Sequence, residues 1–208
     1  MLKTLVAAAT IALSALLPLS ATAQEATADA AAPVEITDFS IGSPDAKVQI
    51  TEYASFTCPH CANFHATVWP QLKADYIDSG KVRFTYREVY FDRYGLWAAM
   101  VARCGGEMRY FGIVDMLFDQ QKEWAASDDP NVVVGNLRTI GKAAGLDDAA
   151  LDVCLKDGAK AEAMVKHFET NFAADEVEGT PTFIINGEKH SNMSYDDMKA
   201  ILDAELAK

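Results

Sequence analysis

The chain has no phosphate-binding glycine loop, no dinucleotide fingerprint and no serine–histidine–acid set, so nucleotide chemistry and serine hydrolysis drop out early. Positive charge is scarce. Eighteen Lys and Arg stand against 30 Asp and Glu, a net charge of −12 over 208 residues. Such a surface repels phosphate backbones and anionic lipid, so no nucleic-acid partner is expected. No cysteine precedes Cys58, which excludes a lipid-anchored N terminus. The apolar run "LVAAATIALSALL" (5–17) falls short of the ~20 residues of a comfortable membrane span. No internal repeat is present.

Half of the residues are apolar, enough for one globular domain with its own core. Lys3, the 5–17 run, Pro18 and the small-x-small "ATA" (21–23) have the order of a secretory signal. A signal peptide over 1–23 is therefore expected, with release near Ala23 and a flexible Ala-rich lead-in over 24–33. Export matters for the four cysteines, because disulfides persist outside the cytosol.

From residue 34 the pattern turns β, then α. "VQITEYASF" (48–56) reads as a buried strand running into "CPHC", and "CANFHATVWPQLKADYI" (61–77) carries a helical stripe kinked at Pro70. "KVRFTYREVY" (81–90) alternates as a second strand. Residues 95–175 hold almost no strand signal and read as inserted helices. "TPTFIING" (180–187) is a strand ending in an Asn-Gly hairpin turn, and Ser194 caps a last amphipathic helix. The expected fold class is α/β: one sheet, split into parts at 34–94 and 176–208, with a helical domain inserted at 95–175.

The stretch "SFTCPHCANFH" (55–65) carries the chemistry. A structural zinc site needs four ligands, usually from two such pairs, and Cys104 and Cys154 are isolated, so no metal is expected. A Cys58–Cys61 bridge closes too short a loop to restrict the unfolded chain much. Redox use fits better. Cys58 falls where a strand ends and a helix begins, with Pro59 suited to the first helical position. Unpaired N–H groups and the positive end of the helix dipole then face its sulfur and favour a thiolate, and His60 adds a donor. A low thiol pKa stabilises the reduced pair and makes the disulfide oxidising. Val48, Ile50 and Glu52 share one strand parity, so Glu52 puts a carboxylate where an apolar side chain is expected. Burial would raise its pKa and suit it to exchange protons with Cys61. Cys104 and Cys154 each lie on an apolar stripe, and export favours a structural bridge between them.

"FTCPHC", the distant "GTPTF" and the inserted helices resemble the DsbA-type thiol:disulfide oxidoreductases, thioredoxin-like proteins of bacterial periplasms. The resemblance spans about 34–208. It implies that Cys58 is the exposed nucleophile, Cys61 its buried partner, and Pro181 a cis proline beside the pair, with Thr180 presenting backbone to substrate. It also matches Glu52 to the family's buried acid, whose basic partner is not clearly matched; Tyr86 is the candidate, with Arg83 or Arg87 nearby. His65 reads as a helix-face residue, and His167 and His190 as surface residues. The implied function is introduction of disulfides into reduced or misfolded exported proteins in the periplasm by a monomer without cofactor, reoxidised by a DsbB-type membrane protein. Thr180 departs from the valine common before the cis proline of strong oxidants and favours an isomerase or reductase as the alternative. A copper carrier using the two CPHC sulfurs is a third reading.

Overall fold

The computed structural model describes residues 34–208. The expected signal peptide and lead-in, 1–33, lie outside the described residues. Five strands form one mixed sheet in the order β1-β3-β2-β4-β5. They are β1 (Phe39–Ile41), β2 (Val48–Ala54), β3 (Val82–Glu88), β4 (Thr182–Ile185) and β5 (Glu188–Ser191). β2 and β3 run parallel in register from Val48 opposite Val82 to Ala54 opposite Glu88. The other three pairings are antiparallel. β3 buries Val82, Phe84, Tyr86 and Glu88 and leaves its other residues half-buried, the period of two that its sequence carries. Asn186 and Gly187, both at positive φ, turn β4 into β5.

The β2-to-β3 crossover contains α1 (Pro59–Thr67), α2 (Trp69–Leu72) and a π-helical turn (Lys73–Ile77). The break after Thr67 follows from Pro70, which has no N–H to return to the Ala66 carbonyl. Six helices separate β3 from β4: α3 (Arg93–Cys104), α4 (Glu107–Asp119), α5 (Gln121–Trp124), α6 (Pro130–Ala143), α7 (Asp148–Lys156) and α8 (Gly158–Ala174). α9 (Tyr195–Ala207) closes the chain. Aspartates at 92, 129, 147 and 157 cap α3, α6, α7 and α8, and Ser194 caps α9. Each such cap contributes about 1 kcal/mol. The fold is therefore a thioredoxin-like sheet with a helical insertion.

One ion pair ties that insertion to the sheet. Glu88, at the end of β3, accepts from Arg103 Nε at 2.7 Å and Arg103 Nη2 at 2.6 Å, and from the Tyr110 hydroxyl at 2.6 Å. Arg103 Nη1 donates to the Thr37 carbonyl. Both charged side chains are almost wholly buried, yet the bidentate geometry satisfies them. Cys104, the next residue of α3, is bonded to Cys154 of α7 across 50 residues.

Two consequences are measurable by denaturant unfolding. Arg103→Leu strands a buried carboxylate and should cost about 3–5 kcal/mol. The double variant Cys104→Ser/Cys154→Ser opens a 50-residue loop and should lose up to about 4 kcal/mol of stability.

Candidate active site

Cys58 is the N-cap of α1, with Pro59 following it and no side-chain hydrogen bond capping the helix. The thiol therefore occupies the place where capping side chains usually stand, facing free backbone N–H groups. The structure holds the pair in its dithiol form. Cys58 is 9% exposed and Cys61, one turn inward, is fully buried. The expected exposure of Cys58 is thus only a sliver, because its sulfur is turned toward the 180–181 loop: Sγ lies 3.5 Å from the Thr180 carbonyl. The Thr180–Pro181 peptide bond is cis. The Thr180 hydroxyl is buried without a hydrogen-bond partner among the described residues.

The two sulfurs are electrostatically unlike. The hydrogen bond from Cys61 lowers the Cys58 thiol from 9.0 to about 5, against the opposing effect of burial; Thr180 and the backbone N–H groups of Cys61 and His60 act in the same downward direction. Burial pushes Cys61 far upward, and the hydrogen bond to Cys58 and the Glu52 charge add to it. One sulfur is thus a thiolate at neutral pH while the other keeps its proton.

Glu52, near the end of β2, is fully buried. Its neighbours in register are Tyr86 and Phe183. The sequence left its partner open among Tyr86, Arg83 and Arg87; the structure gives it none of these. Tyr86 donates its hydroxyl to the Ala54 carbonyl. Arg87 turns to Asp38, Tyr53 and Asp175. The partner is His65, whose Nε2 lies 3.0 Å from Glu52 Oε2. Read as a helix-face residue, His65 is instead 5% exposed and stacked on Phe118 at 4.0 Å. A signal was available: His65 stands one turn beyond Cys61 and beside Phe64 and Val68 on the stripe that α1 buries. His167 is also less exposed than expected, because it pairs with Asp38.

His60 is exposed beside a groove of about 540 Å³ whose lining includes Thr180, Pro181, Glu178, Lys189 and His190. On the far side of the pair, Gln121 of α5 donates to the Phe56 and Cys58 carbonyls at 2.8 and 3.0 Å. It holds the segment that leads into CPHC. Sequence reasoning gave no hint of Gln121, because its partners lie more than 60 residues away.

A vicinal dithiol at a helix N terminus, beside a cis proline and on this sheet, defines a thioredoxin-like dithiol protein. Residues 34–204 match the family described as Thioredoxin. A Rickettsia bellii protein named as a protein-disulfide oxidoreductase is 34% identical over 176 residues, covering 83% of this chain and 66% of the relative. The chain thus spans slightly less than two thirds of the length of this relative. Disulfide bond formation protein D of Bacillus subtilis is 24% identical, over 80% of this chain and 76% of its own. Among solved structures, alpha-DsbA1 of Wolbachia pipientis superposes with a TM-score of 0.76 at 27% identity, covering 82% of this chain and 92% of that one. The chain belongs to the thioredoxin family, in its DsbA-type form with inserted helices.

The depressed thiol gives a direct test. A thiol lowered from 9.0 to about 5 contributes stability to the folded dithiol form that is fully present above pH 9 and is lost as the pH falls through 5. Thiolate absorbance near ~240 nm in the reduced protein should titrate with a midpoint close to pH 5. The step should vanish in Cys58→Ser.

Proposed function

We propose that the protein is a thiol:disulfide oxidoreductase that works as a dithiol oxidase on exported proteins. The observation that carries this is the inequality of the two sulfurs, Cys58 held as a thiolate and Cys61 as a thiol. A stabilised thiolate favours the reduced pair, so the Cys58–Cys61 disulfide tends to take electrons from its partner.

The reaction starts when a substrate thiolate attacks Cys58 Sγ. The Cys58–Cys61 bond breaks, and its electron pair leaves on the Cys61 sulfur, which takes up a proton. A mixed disulfide now joins substrate to Cys58. A second substrate thiolate attacks the substrate sulfur of that bond, and Cys58 departs as the stable thiolate. The substrate gains a disulfide and loses two electrons and two protons; the protein gains the electrons. The groove beside Thr180 and Pro181 offers backbone to an extended segment of the substrate. Glu52 exchanges the proton of Cys61, and the Cys104–Cys154 bridge has a structural role. The signal-like 1–23 segment favours action in the periplasm, with a DsbB-type membrane protein as reoxidant, and the protein itself works as a monomer.

The Thr180 hydroxyl, buried without a partner among the described residues, favours a second reading, an isomerase or reductase, since a donor beside Cys58 can be given to substrate or used to temper the potential. Equilibration of the CPHC pair with glutathione decides between them. An oxidase should show a potential well above the glutathione couple. A value near the about −270 mV of thioredoxin would sink that reading and promote the reductase.

A further inference from the structure

Cys61 gains a proton whenever the disulfide is reduced and gives one up whenever it re-forms, yet its sulfur has no exposure to solvent. The groove that admits substrate lies on the Cys58 side. The proton therefore needs a route of its own. Behind α1 the buried Glu52–His65 pair shares one hydrogen bond of 3.0 Å, and its outer atoms, Glu52 Oε1 and His65 Nδ1, have no partner among the described residues. Buried polar atoms without partners are rare in native folds and call for a reason, a role in proton or redox chemistry among them. On the same side of the molecule a cleft of about 340 Å³ is lined by His65, Trp69, Pro70, Lys73, Asp115 and Asp119. Pro70 and Asp119 are exposed at its rim, whereas His65 and Trp69 are buried.

The geometry points to His65 as a proton-relay residue that acts through Glu52 and opens to solvent by this cleft, a route separate from the substrate groove. The inference rests on the oxidoreductase reading above. His65 touches neither sulfur, so its effect is exerted on the carboxylate. In disulfide re-formation, the Cys61 proton passes to Glu52 as Cys61 Sγ attacks the mixed disulfide at Cys58. The Cys58–Cys61 bond forms, the bond to the partner breaks, and the partner leaves as a thiolate with the electron pair. Glu52 hands its proton to the free Nε2 of His65, and Nδ1, itself buried, releases one to a water admitted through the cleft. Reduction runs the path backwards.

The other ionisable groups around the pair are already engaged or stand at the rim. Tyr86 of β3 gives its hydroxyl to the Ala54 carbonyl. Asp115 of α4 accepts from the Trp69 indole at 2.8 Å. Lys73 is bound to Asp78. Asp119 is exposed at the mouth. His65 is thus the group placed to connect the buried carboxylate with the cleft, and an imidazole is suited to it because its two ring nitrogens can take a proton on one side and release one on the other.

The test measures closure of the Cys58–Cys61 disulfide from the Cys58 mixed disulfide with glutathione, formed by adding oxidised glutathione to the reduced protein. Acid quench and mass spectrometry give the rate from about pH 5 to 9. Wild type should close with a shallow pH dependence. His65→Gln keeps a donor for Glu52 but cannot carry the proton, and it should slow closure at least tenfold near neutrality, with a rate that climbs in proportion to hydroxide. His65→Ala should behave alike and recover in imidazole, saturably, as the base enters the cleft. A wild-type rate and pH profile in His65→Gln would overturn the relay. So would a loss in His65→Ala that imidazole leaves untouched, since that assigns His65 to holding Glu52 in place. Failure of the wild type itself to exchange with glutathione would instead remove the oxidoreductase reading.

Discussion

Backbone N–H groups at the start of a helix have no carbonyl to receive them, and here a sulfur stands where they point. β2 ends at Ala54 and α1 begins at Pro59, so the chain delivers Cys58 to that position without any help from a side-chain cap. Cys61 follows three residues later, on the inner face of the same turn. The chemical difference between two identical residues is thus positional. One belongs to the helix end and the other to the core.

The interior holds two buried charge systems with opposite characters. Around Glu88, the Arg103 fork and the Tyr110 hydroxyl satisfy the carboxylate on several sides, and Arg103 spends a further donor on the Thr37 carbonyl. Such a closed network fixes the first inserted helices against β3 and has no reason to change state. Around Glu52 the network is open, with one hydrogen bond and two atoms without a partner among the described residues. A closed and an open buried acid thus stand on adjacent strands of one sheet.

Much of this was legible in the residues. The parity of Val48, Ile50 and Glu52 marked a carboxylate on the buried face of β2, and Glu52 is fully buried. Alternation along 81–90 and the Asn-Gly turn gave β3 and the β4–β5 hairpin. The sequence hid whatever depends on contacts between distant segments. Nothing in the local pattern singles out Glu88, Arg103 or Gln121, and only the packed fold shows their partners. His65 was missed for a different reason. Its spacing puts it on the inner face of α1, but a lone histidine one turn beyond Cys61 reads as an ordinary helix-face residue. The backbone bend at Pro70 was visible, whereas the π-helical turn beyond it was not.

Gln121 has an implication for motion. Through its two bonds to the Phe56 and Cys58 carbonyls, the segment that leads into the reactive pair is fastened to the short helix between α4 and α6. A loop held only by its own turn could fray independently of its surroundings. This one is tied to α5 as well. Amides of the 55–58 segment and of α5 should therefore share a single opening free energy in hydrogen exchange and behave as one cooperative unit. The inserted helices would then set the rigidity of a site to which they contribute no reactive atom.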